Sequence, residues 1–537
     1  MTLTRSYWPA NNSESVATTT VGDLLRDAAA DAPEMTALIA GRADPAKRRS
    51  WTYAELLADA ERAARALLEY VSPGERIAIS APNVPEWVIL EFAAALAGVT
   101  LIALSPLMTD PDLLADALAQ SHAAALFYLE KQGQDMAAVV DRRRAGLPEL
   151  RETIPLSRWA GFVSRADPDR RLPNVPSRAA AHIPFTSGTT GHAVGVVHRH
   201  EAIVNNARFA FQRMGLTRGE TVLLLAPLCH GAAFAFCVPG AVSQRAALVL
   251  PEDLDPGLVL ELLETYRAQM LFTVPTRLAA VAEDPAVRRR DLRALRTVVS
   301  AAAPSRPDLV HTAESAFDCR FVNVYGQTEA SAIAAGDPTN GTHPMADTVG
   351  PPLPQAECKI IDPGSGQITK LGVPGELCIR GYQVMIEYLG AAEETAKRID
   401  PQGWLHTGDI AVFDEQGNIT VIGRTRDVIK RGTEQIFPRE IENCLYRHPA
   451  VGDAIVLGIP DLRWGQQIIA VIRPTAGSYP TPAELRAYCL RHLPSYKAPV
   501  GWYYVDSLPL CGPGKIKKHE LRENILAGRM RPADAAS

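Results

Sequence analysis

Between residues 76 and 300 the chain repeats one device: a short, continuously apolar run followed by an amphipathic stretch. Arg76-Ile-Ala-Ile-Ser80, Ala125-Leu-Phe-Tyr128, Thr221-Val-Leu-Leu-Leu225, Ala247-Leu-Val-Leu250 and Thr297-Val-Val-Ser300 lack the in–out alternation of a strand with one wet face. Strands that are apolar on both faces need cover on both faces, and the helices between them supply it. Parallel sheets flanked by helices, an α/β fold, are therefore predicted. The helical stretches carry their own signals. Thr52 followed by Glu55 is a capping box, and Leu57, Ala60, Ala64 and Leu67 then fall on one helical face.

The texture changes after about residue 350, where turn pairs such as Pro363-Gly364 and Ser365-Gly366 separate short strands over 376–380 and 418–422. From Pro438 a helix over 439–448 and a strand over 453–457 begin a small α+β unit. The predicted organisation is a large N-terminal body, residues 1–425, and a small mobile C-terminal domain, residues 426–537. A chain of 537 residues is too long for one core, which agrees with that division.

Charge narrows the partners. The 55 Lys+Arg against 60 Asp+Glu leave a net charge of −5, so no basic face exists for phosphate backbones and nucleic acid is excluded as a partner. The 8 cysteines show no CxxC spacing, which points to a reduced, cytoplasmic setting rather than a zinc or disulfide framework. The opening residues contain no apolar signal segment. The longest stretch free of Asp, Glu, Lys and Arg, Thr221 to Gln244, is interrupted by Pro227, His230 and Pro239-Gly240. It reads as a buried strand, a loop and a buried helix, not as a membrane insertion.

Five motifs carry chemistry. Phe185-Thr-Ser-Gly-Thr-Thr-Gly191 concentrates hydroxyls and open backbone N–H groups. Such a loop can wrap an anion, though a polar surface loop has the same composition. Val324-Tyr-Gly-Gln-Thr-Glu329 joins an aromatic to a hydroxyl and a carboxylate, and Trp404-Leu-His-Thr-Gly-Asp409 ends in a carboxylate suited to ribose hydroxyls. Gly423-Arg-Thr-Arg-Asp427 and Gly514-Lys-Ile-Lys-Lys518 complete the set. Each is bland alone; their order is not.

In that order they resemble the adenylate-forming ligases, the superfamily of acyl-CoA synthetases, peptide-synthetase adenylation domains and luciferases, over roughly residues 20 to 525. Val384-Met385, Arg463-Trp-Gly465 and Pro227-Leu-Cys-His230 are most similar to the bacterial acyl-CoA ligases. The resemblance implies that Thr186, Ser187, Gly188, Thr189, Thr190 and Gly191 grip the phosphates of ATP. It places the adenine between Tyr325 and the segment Ala301, Ala302, Ala303 and Pro304, with Gly326, Gln327 and Thr328 beside it. Glu329 would hold Mg²⁺, and Asp409 and Arg424 the ribose; His230, Phe234 and Ala302 would border the acid, with Cys229, Ala232 and Ala233 keeping that pocket apolar. Asp427 would be the hinge of the small domain. Lys515 would bridge carboxylate and α-phosphate, where both partners are anions and charge repulsion is the main barrier. The implied reaction joins a hydrophobic or aromatic monocarboxylic acid to AMP, releases pyrophosphate, and passes the acyl group on.

Three departures bear on the acceptor and the rate. The phosphate loop has Val194 where the family pattern has lysine, and Ala301-Ala-Ala303 replaces Gly-Gly-Ala. After the hinge the chain reads Ile429-Lys-Arg-Gly432-Thr433 where the family has a second glycine lining the pantetheine tunnel of CoA. Threonine narrows that wall and, at a positive φ, would strain it. Thr433 favours transfer to an amine, an amide synthetase; an acyl-CoA ligase forming a thioester with CoA is the alternative. Val194 keeps a third, minor reading open, a degenerate nucleotide binder. His198 and His200, with no third ligand in sequence, read as loop or helix-start histidines.

Overall fold

The computed structural model describes residues 2–106, 108, 111–130, 136–186, 194–339, 348–509 and 516–533. It divides into two compact units. The larger comprises residues 8–358 and 379–405; the smaller comprises residues 1–7, 359–378 and 406–537.

The larger unit holds two sheets. In the eight-stranded sheet the central strands Thr221–Leu224, Ala247–Pro251, Met270–Thr273, Thr297–Ser300 and Arg320–Gln327 are all joined by parallel ladders. The seven-stranded sheet is centred on Arg76–Ser80, Thr100–Leu104, Ala125–Tyr128 and Ala180–Thr186, also parallel to one another. Every described residue of Ala125–Tyr128, Thr297–Ser300 and Ala247–Pro251 is buried, as the unbroken apolar runs require. The helix Tyr53–Leu67 starts at the expected capping box: the Thr52 hydroxyl accepts from Glu55 N and the Glu55 carboxylate accepts from Thr52 N. Its buried face, Leu56, Ala60, Ala63, Ala64 and Leu67, follows the helical period.

The charge-free stretch from Thr221 resolves as expected, into the strand Thr221–Leu224, a loop, a five-residue π-helical turn Ala233–Cys237 and the helix Val238–Ser243. No helix among the described residues is long and apolar enough to cross a membrane.

The smaller unit contains a five-stranded sheet that includes Val451–Asp461 and Gly465–Pro474, the longest ladder among the described residues, covered by the helix Pro438–Tyr446. A second sheet carries the antiparallel pair Leu405–Phe413 and Ile419–Arg424.

Candidate active site

In the larger unit, the strands Thr297–Ser300 and Arg320–Gln327 run parallel with Ser300 opposite Asn323, so the segments that follow leave adjacent carboxyl ends. Ligands of open α/β sheets bind outside such ends. Ala301 to Pro304 leaves one of them and Tyr325 to Glu329 the other. Ala301 N donates to Thr273 O at 3.2 Å, and the hydroxyls of Ser300 and Ser305 meet at 3.0 Å, closing the first loop on itself. Ala302 has φ +71. The methyl that replaces the family glycine therefore sits on left-handed backbone, at a cost of about 1–2 kcal/mol.

Gly326 is fixed by sterics. A Cβ there would lie 2.0 Å from Ser331 O, because the bulge after Tyr325 presses the returning strand Ser331–Ala335 against it. Gln327 follows at the strand end and Thr328 leads into the carboxylate.

Glu329 is held from several directions. The Tyr388 hydroxyl donates to Glu329 Oε1 at 2.7 Å, Arg398 Nη2 lies 3.9 Å away, and Met385 N donates to the Glu329 carbonyl at 2.8 Å. Burial, then the Glu329 charge, push the Tyr388 phenol up to about 12, so it stays a donor across neutral pH. The preceding carbonyl, Thr328 O, accepts from His198 Nε2 at 2.6 Å. A carbonyl can only accept, which assigns the proton to Nε2. His198 therefore lies in the strand Val194–Arg199, not in a loop, and its ring reaches the motif. Spacing to His200 could not show this, since the partner stands 130 residues away. His200 does begin the helix His200–Arg213, and its Nδ1 accepts from Val21 N at 3.3 Å.

The turn after Pro227 separates two candidate acid-pocket residues. His230 is exposed at its start, while Phe234, four residues on, is fully buried in the π-helical turn. Cys229 and Ala233 are also buried. Thr186 ends the strand Ala180–Thr186 and pairs with Val194, the first residue of the antiparallel strand Val194–Arg199. Ser187, Gly188, Thr189, Thr190 and Gly191 lie outside the described residues, as does Lys515.

In the smaller unit Asp409 and Arg424 face each other across an antiparallel ladder, with Oδ1 to Nε at 3.3 Å. The turn leading to Asp409 is tied down: Thr407 Oγ1 donates to Leu377 O at 2.6 Å and accepts from Asp409 N at 3.1 Å. Glu376 adds a second anchor that sequence reading missed. Its Oε1 accepts from Gly408 N at 3.1 Å while its Oε2 meets His406 Nδ1 at 3.1 Å, with Cys378 Sγ 3.6 Å from that nitrogen. These three side chains have donor atoms close enough for a metal, but the carboxylate is already engaged on both oxygens, so the group works as a hydrogen-bonded brace.

Asp427 ends a single 3₁₀ turn, Thr425–Asp427, with Arg426 Nε 3.7 Å from it. Gly432 and Thr433 form the two-residue tip of a hairpin in which Arg431 pairs with Glu434. Gly432 takes the positive φ, +62, and Thr433 has none, so the backbone strain considered for Thr433 is absent. Its side chain is exposed at the tip. Beside it stands Trp464, whose carbonyl accepts from Gly432 N at 2.8 Å and whose ring carries the Arg431 and Arg463 guanidiniums at 4.8 and 5.0 Å.

Residues 25–389 match the model of the AMP-binding enzyme family, and residues 440–515 that of the AMP-binding enzyme C-terminal domain. The putative acyl-CoA synthetase YngI of Bacillus subtilis is 32% identical over 94% of this chain and 97% of its own length. The acyl-CoA ligase sidI of Aspergillus fumigatus is 34% identical over 88% of this chain and 86% of its own. Among solved structures, the amide bond synthetase McbA from Marinactinospora thermotolerans superposes with a TM-score of 0.79 at 29% identity, covering 94% of this chain and 99% of that one. The fold, the ordered motifs and these matches agree: the chain belongs to the AMP-binding enzyme family of adenylate-forming, AMP-forming ligases.

Proposed function

We propose that the chain uses ATP and Mg²⁺ to convert a hydrophobic or aromatic monocarboxylic acid to its acyl-AMP, and then transfers the acyl group to an amine, forming an amide. The observation that carries the amine is the hairpin tip. Thr433 adds an exposed β-branched side chain at a position that the family resemblance assigns to the wall of the CoA tunnel. Likeness to an amide bond synthetase at 29% identity supports the same reading.

The residues present fit both nucleotide and metal. Adjacent strand ends bring Ala301 to Pro304 and Tyr325 into neighbouring positions, as an adenine clamp needs. Glu329 is a carboxylate of which the tyrosine engages one oxygen, an oxygen ligand of the kind Mg²⁺ takes together with substrate phosphates. When bound, the ion would supply positive charge against the phosphates. Tyr388, Met385 and His198 hold Glu329 and its backbone in place beforehand. Arg424 stands across the ladder from Asp409, with Nε 3.3 Å from Oδ1, and the carboxylate is the acceptor proposed for a ribose diol. Lys515, carried by resemblance alone, orients the acid against the α-phosphate, and Asp427 serves as the hinge that withdraws it. The free thiols of the seven described cysteines suit a reducing, cytoplasmic setting for this reaction.

A second reading has its own observation. Trp464, exposed and flanked by Arg431 and Arg463, offers a stacking face with cations beside it, which suits the nucleotide end of CoA. The curated relatives named above as acyl-CoA ligases favour it too.

One competition reaction separates the two. The enzyme, Mg-ATP, a panel of aryl and alkyl monocarboxylic acids, and equal amounts of CoA and mixed primary amines are incubated together and read by mass spectrometry. Amides without thioesters establish the amide synthetase. Thioesters without amides return the enzyme to the CoA ligases.

A further inference from the structure

The helix Pro85–Ala97 is buried at every residue except Glu86. Trp87 and Glu91, four apart, share one of its faces. Opposite them His182, on the strand Ala180–Thr186, brings Nε2 to 3.6 Å from Glu91 Oε1. Glu91 and Trp87 are 0% exposed and His182 is 1% exposed. Yet Trp87 Nε1, both Glu91 oxygens and both His182 nitrogens have no hydrogen-bond partner among the described residues. Each such group left unmade costs about 1–3 kcal/mol. Five of them in one place are an expensive arrangement unless something polar completes it.

The position of the cluster says what that is. The His182 ring lies 4.7 Å from the Phe234 ring, and the Trp87 ring meets Phe234 edge-on at 6.4 Å. Two residues further along the strand, a Cβ on Gly231 would stand 3.8 Å from Pro184. The turn bearing His230 and Phe234 thus lies along one face of the strand, which continues to Thr186 and the phosphate loop. From His182 to Thr186 the strand rises about 13 Å, four residues at about 3.3 Å each. Phe234 sits in a π-helical turn, a local widening that frequently accompanies binding sites.

We propose that Trp87, Glu91 and His182 form a polar subsite at the closed end of the acid pocket, receiving a hydroxyl, neutral amino or ring N–H group at the far end of an elongated aromatic acid. The inference rests on the monocarboxylic-acid reading of the function and deepens it. Burial holds the Glu91 carboxyl well above its usual range and the His182 imidazole well below. Burial thus favours the neutral form of both, so the cluster offers donors and acceptors rather than net charge, which suits a phenol or an aryl amine better than a second carboxylate. The Phe234 ring packs against His182, at 4.7 Å between ring centroids.

The test is acid-dependent ATP–pyrophosphate exchange by the full chain with biphenyl-4-carboxylate, its 4′-hydroxy and 4′-amino congeners, and 4,4′-biphenyldicarboxylate. The polar monoacids should exceed the parent acid by about tenfold or more in kcat/KM, because a site built to hydrogen-bond a group rejects the analogue lacking it, and the diacid should be the poorest. Glu91→Gln, which keeps the shape, and His182→Phe should erase the preference, so that in each variant the polar congeners are used no better than the parent acid. Equal use of all three monoacids, or a preference that survives both substitutions, overturns the subsite and leaves the adenylation reading standing. If no monocarboxylic acid of a wider alkyl and aryl panel supports exchange, the adenylation reading fails and the subsite with it. Thermal melts of the variants show whether they are folded, and an unfolded His182→Phe is replaced by His182→Asn under the same criteria.

Discussion

Tyr388 Oη stands 2.7 Å from Glu329 Oε1, and Arg398 Nε stands 3.3 Å from the same Tyr388 oxygen. The proposed metal-binding carboxylate is therefore aimed by a tyrosine that is itself aimed by an arginine.

Removing that donor leaves a carboxylate that is 9% exposed without its closest partner. A hydrogen bond to a charged group contributes about 1.5–3 kcal/mol. Tyr388→Phe should therefore lower the rate of acid-dependent pyrophosphate release roughly ten- to hundredfold and raise the Mg²⁺ concentration needed for half-maximal rate. Pyrophosphate release followed across a Mg²⁺ titration reads both. An unchanged Mg²⁺ dependence would show that Tyr388 does not position Glu329.

His198 acts one bond further back, on the Thr328 carbonyl. His198→Leu should reduce adenylation about tenfold, the effect of one good buried hydrogen bond. His198→Gln, whose amide can also donate, should recover most of it. Failure of glutamine to do better than leucine would mean that packing, not the donated proton, explains the histidine.

How far the sequence revealed these features depended on where the partners lie in the chain. The strands Arg76–Ser80, Ala125–Tyr128 and Thr297–Ser300 fall where their apolar runs predict, because burial on both faces leaves a local trace. Asp409 and Arg424 each lie in a motif that the sequence singles out, but their pairing appears only in the ladder. Glu91, His182, Tyr388 and Arg398 were not. Each meets its partner across at least two elements or a long separation in sequence, and none sits at a spacing that suggests chemistry. For Thr433 the condition for backbone strain, a positive φ, is not met, for a local reason. The hairpin needs its positive φ at the first tip residue, which is Gly432, so threonine at the second is unstrained.

Three buried histidines set an acid limit on stability. Burial depresses His182 well below 6.5, lowers His198, and brings His200 down to about 4. Below about pH 6.5 the unfolded chain takes up protons at these sites and the folded chain does not, so stability falls as pH falls. Glu91 works the other way: burial raises its pKa, so the fold keeps a proton that the unfolded chain loses above about pH 4.5. The histidines outnumber the carboxyl, so the net effect between about pH 6.5 and 4.5 is a loss of stability as pH falls. Urea midpoints across that range should fall steeply, and His200→Gln should flatten the fall. A flat profile in the parent chain would contradict burial of these rings.

Lys515 supplies the sharpest division between half-reactions. Lys515→Ala should cut acid-dependent pyrophosphate release by about 10²–10³, the usual loss for one well-aimed charge. Amide or thioester formation from supplied acyl-AMP should continue at near the parental rate. Equal loss in both half-reactions would refute the view that this lysine leaves the site before transfer.

The acceptor can be tested at the hairpin tip, where three substitutions make distinct predictions. Thr433→Gly removes the protruding side chain without touching the residue that needs a positive φ, so the fold should be unaffected. If Thr433 excludes CoA, thioester formation should rise severalfold relative to amide formation. Gly432→Ala places a methyl at φ +62 and should destabilise the hairpin by about 1 kcal/mol, whichever acceptor is used. It thus separates a general loss of hairpin integrity from a change in acceptor. Trp464→Ala removes the ring that stacks against Arg431 and Arg463. It should leave amide formation intact, and it should depress thioester formation only if CoA is a true acceptor whose nucleotide rests there. Rising thioester yield in Thr433→Gly, lost again when Trp464→Ala is added, would show that one threonine holds an otherwise complete CoA site closed. An unchanged product ratio in Thr433→Gly would instead remove the threonine from the question of the acceptor.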